Sequence, residues 1–361
     1  MNENKPLLKG WEVKKLGEVC EVEYGTRVVR KRDGGTIFPV YGGGGATFFM
    51  DTFNREDCLV VARFAMSEKC TRFVKGKLFL NDSGLSVKTK NDKEINQEFL
   101  NLQFLHLNDY IYSLARGAAQ KNLNVPIFRK LEIHYPRSLK AQKRIVAILD
   151  KTFAEITKAE AIAKTNLQNA KELFESYLNN VFENKGDDWE EKTLGEVIEI
   201  RSGRNQKEVL NPNGKYPILG SAGKVMGYAD KFLCVSGTTI IGRKGTINKP
   251  LFIKTNFWNV DTAFGLIASD KLTNEFLYYF CRSFNFKELD KGTTLPSLVK
   301  KDLIKITISF PKLKNEQKQI VQKLEQLQSQ VKKLEVIYQQ KIIDLSELKK
   351  SILQKAFNGE L

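Results

Sequence analysis

At 361 residues the chain is too long for one ordinary domain, and its 42% hydrophobic content, enough to bury real cores, excludes a disordered protein. A net charge of +16 favours a polyanionic partner, with nucleic acid the commonest kind. Cys20, Cys58, Cys70, Cys234 and Cys281 form no CxxC pair and only His106 and His134 could join them, which argues against zinc and a disulfide framework.

The opening residues lack an apolar signal core and no run reaches membrane-spanning length, so a cytoplasmic protein with reduced thiols is expected. Residues 1–138 mix short β-rich runs such as Cys58–Ala62 with the glycine turn Gly42–Gly45 and a helical piece at Asn96–Leu105. That composition predicts a compact α/β domain. Residues 139–184 change character: through Phe182 they contain neither glycine nor proline, and apolar or small residues recur in a heptad frame. The frame runs through Ile145, Leu149, Thr152, Ile156, Ala159, Ala163, Asn166, Ala170, Leu173 and Tyr177. Residues 185–313 return to β-rich runs (Thr239–Gly242, Leu251–Ile253, Ile304–Phe310), with a turn at Gly220–Gly223 and a helical piece at Asn274–Cys281. Residues 314–361 again carry a seam, through Ile320, Leu324, Leu327, Val331, Leu334, Tyr338, Leu345, Leu348 and Ile352.

The chain is therefore written twice. Trp11-Glu-Val-Lys-Lys-Leu-Gly-Glu-Val returns as Trp189-Glu-Glu-Lys-Thr-Leu-Gly-Glu-Val, and Pro39-Val-Tyr-Gly42 as Pro217-Ile-Leu-Gly220. Leu59-Val-Val-Ala-Arg63 returns as Thr239-Ile-Ile-Gly-Arg243, Gly117-Ala-Ala-Gln as Gly292-Thr-Thr-Leu, and Gln142-Lys-Arg-Ile-Val as Gln317-Lys-Gln-Ile-Val. The expected fold class is α+β: a tandem duplication of an α/β recognition domain plus a long helix. Related by a pseudo-twofold across their seam, the two helices should form an antiparallel coiled coil. Forty-odd residues at 1.5 Å rise give each a length of roughly 60–65 Å, a ruler between the domains.

Two basic domains at a set separation can read two short DNA stretches across an unread gap. The repeated words look like scaffold, while the segments between them differ: Arg27–Arg32 faces Asn205–Leu210, and Phe64–Lys69 faces Lys244–Lys249. Unlike loops imply unlike half-sites. Long polar side chains on these loops are the candidate DNA contacts. In the first half they are Arg27, Arg30, Lys31, Arg32, Arg63, Lys69, Arg116, Gln120, Lys121 and Asn122. In the second they are Arg201, Arg204, Asn205, Gln206, Lys207, Arg243, Lys244, Lys291, Thr294 and Ser297. A solvated surface charge is the competing explanation for each. Arg63 and Arg243 stand out because both copies keep them after an apolar run, although a structural salt bridge would account for them too.

No catalytic motif emerges. Gly242-Arg-Lys-Gly245 lacks the spacing of a phosphate loop, and Asn211-Pro-Asn-Gly214 reads as a turn and not as a methyltransferase motif. Asp82 and Asp261 stand alone, as turn caps do.

In order and twice over, Gly10-Trp11-Glu and Trp189-Glu with Leu-Gly-Glu-Val, Pro39-Val-Tyr-Gly-Gly, the Ile-Ile-Gly-Arg-Lys-Gly run at 240–245 and the Pro136 and Pro311 segments leading into Gln-x-x-Ile-Val resemble the specificity subunits of Type I restriction–modification systems. So does the ending Gln354-Lys-Ala-Phe-Asn-Gly-Glu-Leu361. The resemblance covers essentially the whole chain; Ala62-Arg63-Phe-Ala departs from the glycine-flanked form. It implies two target recognition domains and a non-catalytic chain that binds double-stranded DNA. It also implies assembly with two modification subunits and with restriction subunits. S-adenosylmethionine, ATP and Mg would then belong to those partners, with no cofactor, metal or membrane contact in this chain. The long helices would be the docking surface for the modification subunits. Two other readings stay open on the residues alone: a stand-alone DNA methyltransferase or nuclease, and a coiled-coil scaffold that touches no nucleic acid.

Overall fold

In the computed structural model, which describes residues 8–118 and 120–361, the repeated Trp-Glu and Leu-Gly-Glu-Val words build the same corner in both halves. Trp11–Lys15 pairs antiparallel with Glu132–Pro136, and Trp189–Thr193 with Thr307–Pro311. Each first strand turns into one helical turn, Leu16–Val19 or Leu194–Val197. The third residue of each turn reaches back: Glu18 accepts from the Lys15 N–H and Glu196 from the Thr193 N–H. Each glutamate thereby satisfies the backbone N–H of the residue that opens its helical turn. Gly17 and Gly195 each donate to a carbonyl across the domain, Arg129 and Ile304.

Beyond the corner, the first half forms one six-stranded sheet. Its spatial order is Cys20–Tyr24, Gly84–Thr89, Arg55–Ala62, Thr71–Leu80, Phe38–Tyr41 and Ala46–Met50. The ten-residue strand Thr71–Leu80 pairs antiparallel with Arg55–Ala62 along most of its length and parallel with Phe38–Tyr41 at its end. In the second half the equivalent strand is interrupted. Leu251–Ile253 closes a four-stranded sheet with Ile198–Ser202, Ala263–Ala268 and Thr238–Gly242, while Trp258–Asn259 joins a three-stranded one with Val225–Ala229 and Tyr216–Leu219. The expected run Ile304–Phe310 forms a strand only from Thr307, because Lys300–Leu303 is a short helix that turns through Ile304. Helices Gln97–His106 and Asn274–Ser283 stand where the sequence places them.

The glycine-free segments are single helices, Leu139–Glu183 and Lys314–Phe357. The chain divides into two units, one extending to Ala163 and including Gln340–Leu361, the other spanning Lys164–Gln339. In the first unit, Ile145, Val146 and Leu149 from the head of the central helix share a core with Leu353 and Ala356 from the tail of the C-terminal helix. In the second unit, the tail residues Phe174 and Leu178 share a core with Val321, Leu324 and Val331. Head beside tail in each unit makes the pair antiparallel. The late seam differs from the expected frame: Leu173, Tyr177, Leu334 and Leu348 are exposed, while Phe174, Leu178 and Leu353 are buried. A helix at 3.6 residues per turn drifts against a strict seven-residue repeat, so the buried stripe moves by one position after several heptads.

Each domain borrows an aromatic ring from a helix tail. Phe99 meets Trp11 at 6.3 Å and Phe357 at 5.3 Å between ring centroids; Phe276 meets Trp189 at 5.9 Å and Phe182 at 5.3 Å. At each helix head a glutamine is fully buried and fully bonded. Gln142 accepts from the Asn96 N–H and donates to the Glu94 and Pro136 carbonyls; Gln317 accepts from the Thr273 N–H and donates to the Lys271 and Pro311 carbonyls.

Candidate nucleic-acid interface

The candidate contacts lie on three loops in each half, and one backbone network knits those loops together in both copies. In the first half Arg63 N–H donates to the Ser83 carbonyl, Leu123 N–H donates to the Arg63 carbonyl, and Met66 N–H donates to the Lys121 carbonyl. In the second half Arg243 N–H donates to the Thr262 carbonyl, Leu298 N–H to the Arg243 carbonyl, and Gly245 N–H to the Pro296 carbonyl. The loop after the first sheet strand is tied in likewise, by Gly25 N–H to Gly84 and Gly203 N–H to Ala263. Glycine is required at both places: a Cβ on Gly25 or Gly203 would fall on the Asn81 or Val260 carbonyl oxygen. The same holds for Gly117 and Gly292, where a Cβ would strike the carbonyl of Gln120 or Leu295. The repeated glycines therefore mark close backbone approaches, and the scaffold presents equivalent loops twice.

What the loops carry differs. On the first loop of the first half, Arg27, Arg30 and Lys31 are exposed, the latter two on the short helix Arg30–Asp33. Arg32 is paired with Asp33 at 2.8 Å, and Asp33 also caps Val29 N–H at 2.7 Å. Arg63 is half-buried; its guanidinium carbon lies 4.7 Å from the Tyr24 ring centroid and 4.2 Å from that of Phe64, and Nη1 donates to the Asp82 carbonyl. Lys69 is exposed, and the half-buried Arg72 donates both to its carbonyl and to that of Gly43 in the glycine turn. Burial holds the Arg72 guanidinium below its usual pKa. Arg116 and Asn122 face each other across the two-residue ladder Ala115–Arg116 with Asn122–Leu123. Gln120 is exposed at its tip, and the Lys121 ammonium rests 4.3 Å from the Tyr112 ring centroid. Asn122 Oδ1 accepts from the N–H of Ala65, a residue with φ of 47°. That oxygen braces the loop, so one of its two acceptor positions is taken.

In the second half Arg201 is the departure from expectation. It is paired with Glu199 at 2.7 Å and donates to the Leu233 carbonyl at 2.9 Å. Both bonds are internal, so its guanidinium serves the fold first. Arg204, Asn205 and Lys207 are exposed and Gln206 half-buried; Asn205 Oδ1 caps Lys207 N–H. Arg243 and Lys244 are exposed beside the loop that carries Lys291, Thr294 and the half-buried Ser297. Asp290 holds that loop, accepting from the N–H groups of Gly292 and Ser297 at 2.8 Å each. The backbone N–H of Ser297, and next that of Gly292, hold its carboxyl below the usual carboxylate range.

Tyr24, Phe64, Tyr112, Arg72 and Asp290 escape sequence reasoning. None sits in a repeated word; Tyr24 and Tyr112 act on residues distant in sequence, Arg72 and Asp290 through backbone groups, and Phe64 through its ring beside the neighbouring Arg63. Among the described residues no group of three or more His, Cys, Asp or Glu side chains could hold a metal ion, and no helix is long and apolar enough to cross a membrane. All five cysteines are free and buried; for Cys58 and Cys234, burial raises the thiol pKa to about 11.

A family profile described as "Type I restriction modification DNA specificity domain" matches the chain twice, over residues 8–166 and 186–342. The Type I restriction enzyme EcoDI specificity subunit of Escherichia coli is 26% identical over 177 residues, 48% of this chain and 39% of its own length. A putative type I specificity subunit of Mycoplasma genitalium is 27% identical over 179 residues, 45% of this chain and 47% of its own. These two matches thus span under half of each relative. The Type I restriction enzyme MjaIX specificity subunit of Methanocaldococcus jannaschii aligns over 422 positions at 24% identity, covering 98% of this chain and 94% of its own. A chain solved for the complex assembly and conformational transition of the type I R-M system has the same fold, with a TM-score of 0.81 at 21% identity and coverage of 99% and 100%. The HsdS subunit from Thermoanaerobacter tengcongensis superposes with a TM-score of 0.62 at 21% identity, with both chains fully covered.

Proposed function

Because the chain belongs to the Type I restriction modification DNA specificity domain family, we propose that it reads a bipartite, asymmetric DNA sequence and directs partner subunits to it. One observation carries this reading. A similar backbone network in both halves displays Arg63, Lys69, Arg116 and Lys121 in one and Arg243, Lys244, Lys291 and Thr294 in the other. A shared frame with unlike exposed side chains is what two recognition surfaces for two different half-sites need. Cationic loops supply phosphate attraction, and the polar side chains among them supply base-edge donors and acceptors.

The chain itself is non-catalytic in this reading. Adenine methylation from S-adenosylmethionine falls to two modification subunits, and ATP- and Mg-dependent cleavage to restriction subunits. Residues 1–138 and 185–313 are the two target recognition domains; 139–184 and 314–361 are helical spacers on which the modification subunits dock.

Exchange of residues 1–138 for the corresponding domain of another such subunit tests the proposal. Methylated positions are then mapped in DNA from cells carrying the assembled complex. One half of the methylated motif is expected to change and the other to persist. Change in both halves, or in neither, overturns the domain assignment.

A further inference from the structure

Arg63 and Arg243 occupy the same place in the two halves. Beyond their shared backbone bonds, each sends Nη1 to a carbonyl of the same turn, Asp82 at 3.3 Å and Asp261 at 3.4 Å. Their surroundings diverge. Tyr24 ends its strand opposite Leu85, and the residue in that position of the second half, opposite Phe264, is Ser202. Phe64 and Lys244 match in the same way, each donating its N–H to the carbonyl that also binds the arginine N–H. The Arg63 guanidinium therefore has two rings within 5 Å, at 4.7 and 4.2 Å, whereas among the described residues the one ring near Arg243 is Phe264 at 5.9 Å, and the next residue in the chain, Lys244, is a second cation.

We propose that Arg63 reads a guanine edge in the major groove, with Tyr24 and Phe64 as positioning residues, while Arg243 with Lys244 contacts phosphate. This rests on the DNA-reading function proposed above. A guanine offers two in-plane acceptors, O6 and N7, to a planar fork, so the plane of the guanidinium must be fixed. Rings close to the guanidinium fix it before DNA arrives and remove rotamer freedom in advance. A phosphate accepts from many directions and gains little from such fixing, which suits an exposed Arg-Lys pair. Arg63 is available for this role. Only one of its N–H groups is bonded to the Asp82 carbonyl, and among the described residues it forms no ion pair. The Tyr24 ring beside it is 48% exposed, so the group stands at the surface.

The test selects bound sequences from a pool of randomised double-stranded DNA with the chain in its assembled complex. Arg63→Lys keeps the charge and removes the fork; Tyr24→Ser with Phe64→Lys gives the first half the surroundings of the second. Each is expected to relax a guanine preference at one position by about 10- to 100-fold, in one half of the selected motif only. The persisting other half reports that the variant is folded. Arg243→Ala is expected to weaken binding to every selected duplex alike and to lower the slope of log affinity against log salt by about one. A wild-type motif that both first-half variants leave unchanged, or a loss spread evenly across both halves, overturns the guanine assignment and leaves DNA reading intact. A wild-type complex that selects no motif overturns both.

Discussion

Gln142 and Gln317 sit at the heads of the long helices with no exposed surface. Each carries three hydrogen bonds that join helix, final domain strand and domain helix. Removing the amide leaves a buried N–H and two carbonyls without their partner, and an unpaired buried group costs about 1–3 kcal/mol. Gln142→Leu should therefore destabilise the chain by about 2–3 kcal/mol in denaturant unfolding, despite the gain in apolar surface. A neutral result would mean that water replaces the lost bonds. The recurrence of Gln-x-x-Ile-Val was plain in the sequence, but its reason was not. The partners of Gln142 include Asn96 and Glu94, 46 and 48 residues away, and no local pattern encodes such a distance. Arg201 teaches the converse: a loop-edge arginine that looks like a contact is held by a glutamate two residues away.

At the scale of elements, the two long helices were legible because their period, lack of glycine and length all agree. Their late register was not, since period alone gives no phase once the stripe drifts. Leu173 and Leu348, expected in the seam, are 52% and 46% exposed, while Phe174 and Leu353 are buried at 3% and 7%. Leu173→Gln and Leu348→Gln should each change stability by less than about 0.5 kcal/mol. Phe174→Ala, which empties a packed site against Tyr279, should cost about 3 kcal/mol or more. Equal costs would restore the original frame. The strand corresponding to Thr71–Leu80 shows the same limit from the β side. Its interruption between Ile253 and Trp258 follows from how the second half closes its sheets, which alternation of residues does not reveal.

At the scale of the molecule, duplication was the most readable feature, because matched words at a near-constant offset need no knowledge of contacts. If the helices set the distance between half-sites, deleting one heptad from equivalent places in both should keep the seam in phase and shorten each by about 10 Å. The unread gap in the methylated motif is then expected to contract by about three base pairs, or recognition to fail. An unchanged gap would remove the helices from the measuring role. The borrowed rings lead elsewhere. Phe357 completes the core of the domain at the opposite end of the chain, beside Phe99 and Trp11, and a side chain added at Gly359 would meet Leu8. A truncation before Phe357 would thus wound the first-made domain and spare the second, and that first domain stays unfinished on the ribosome until the second long helix has been made.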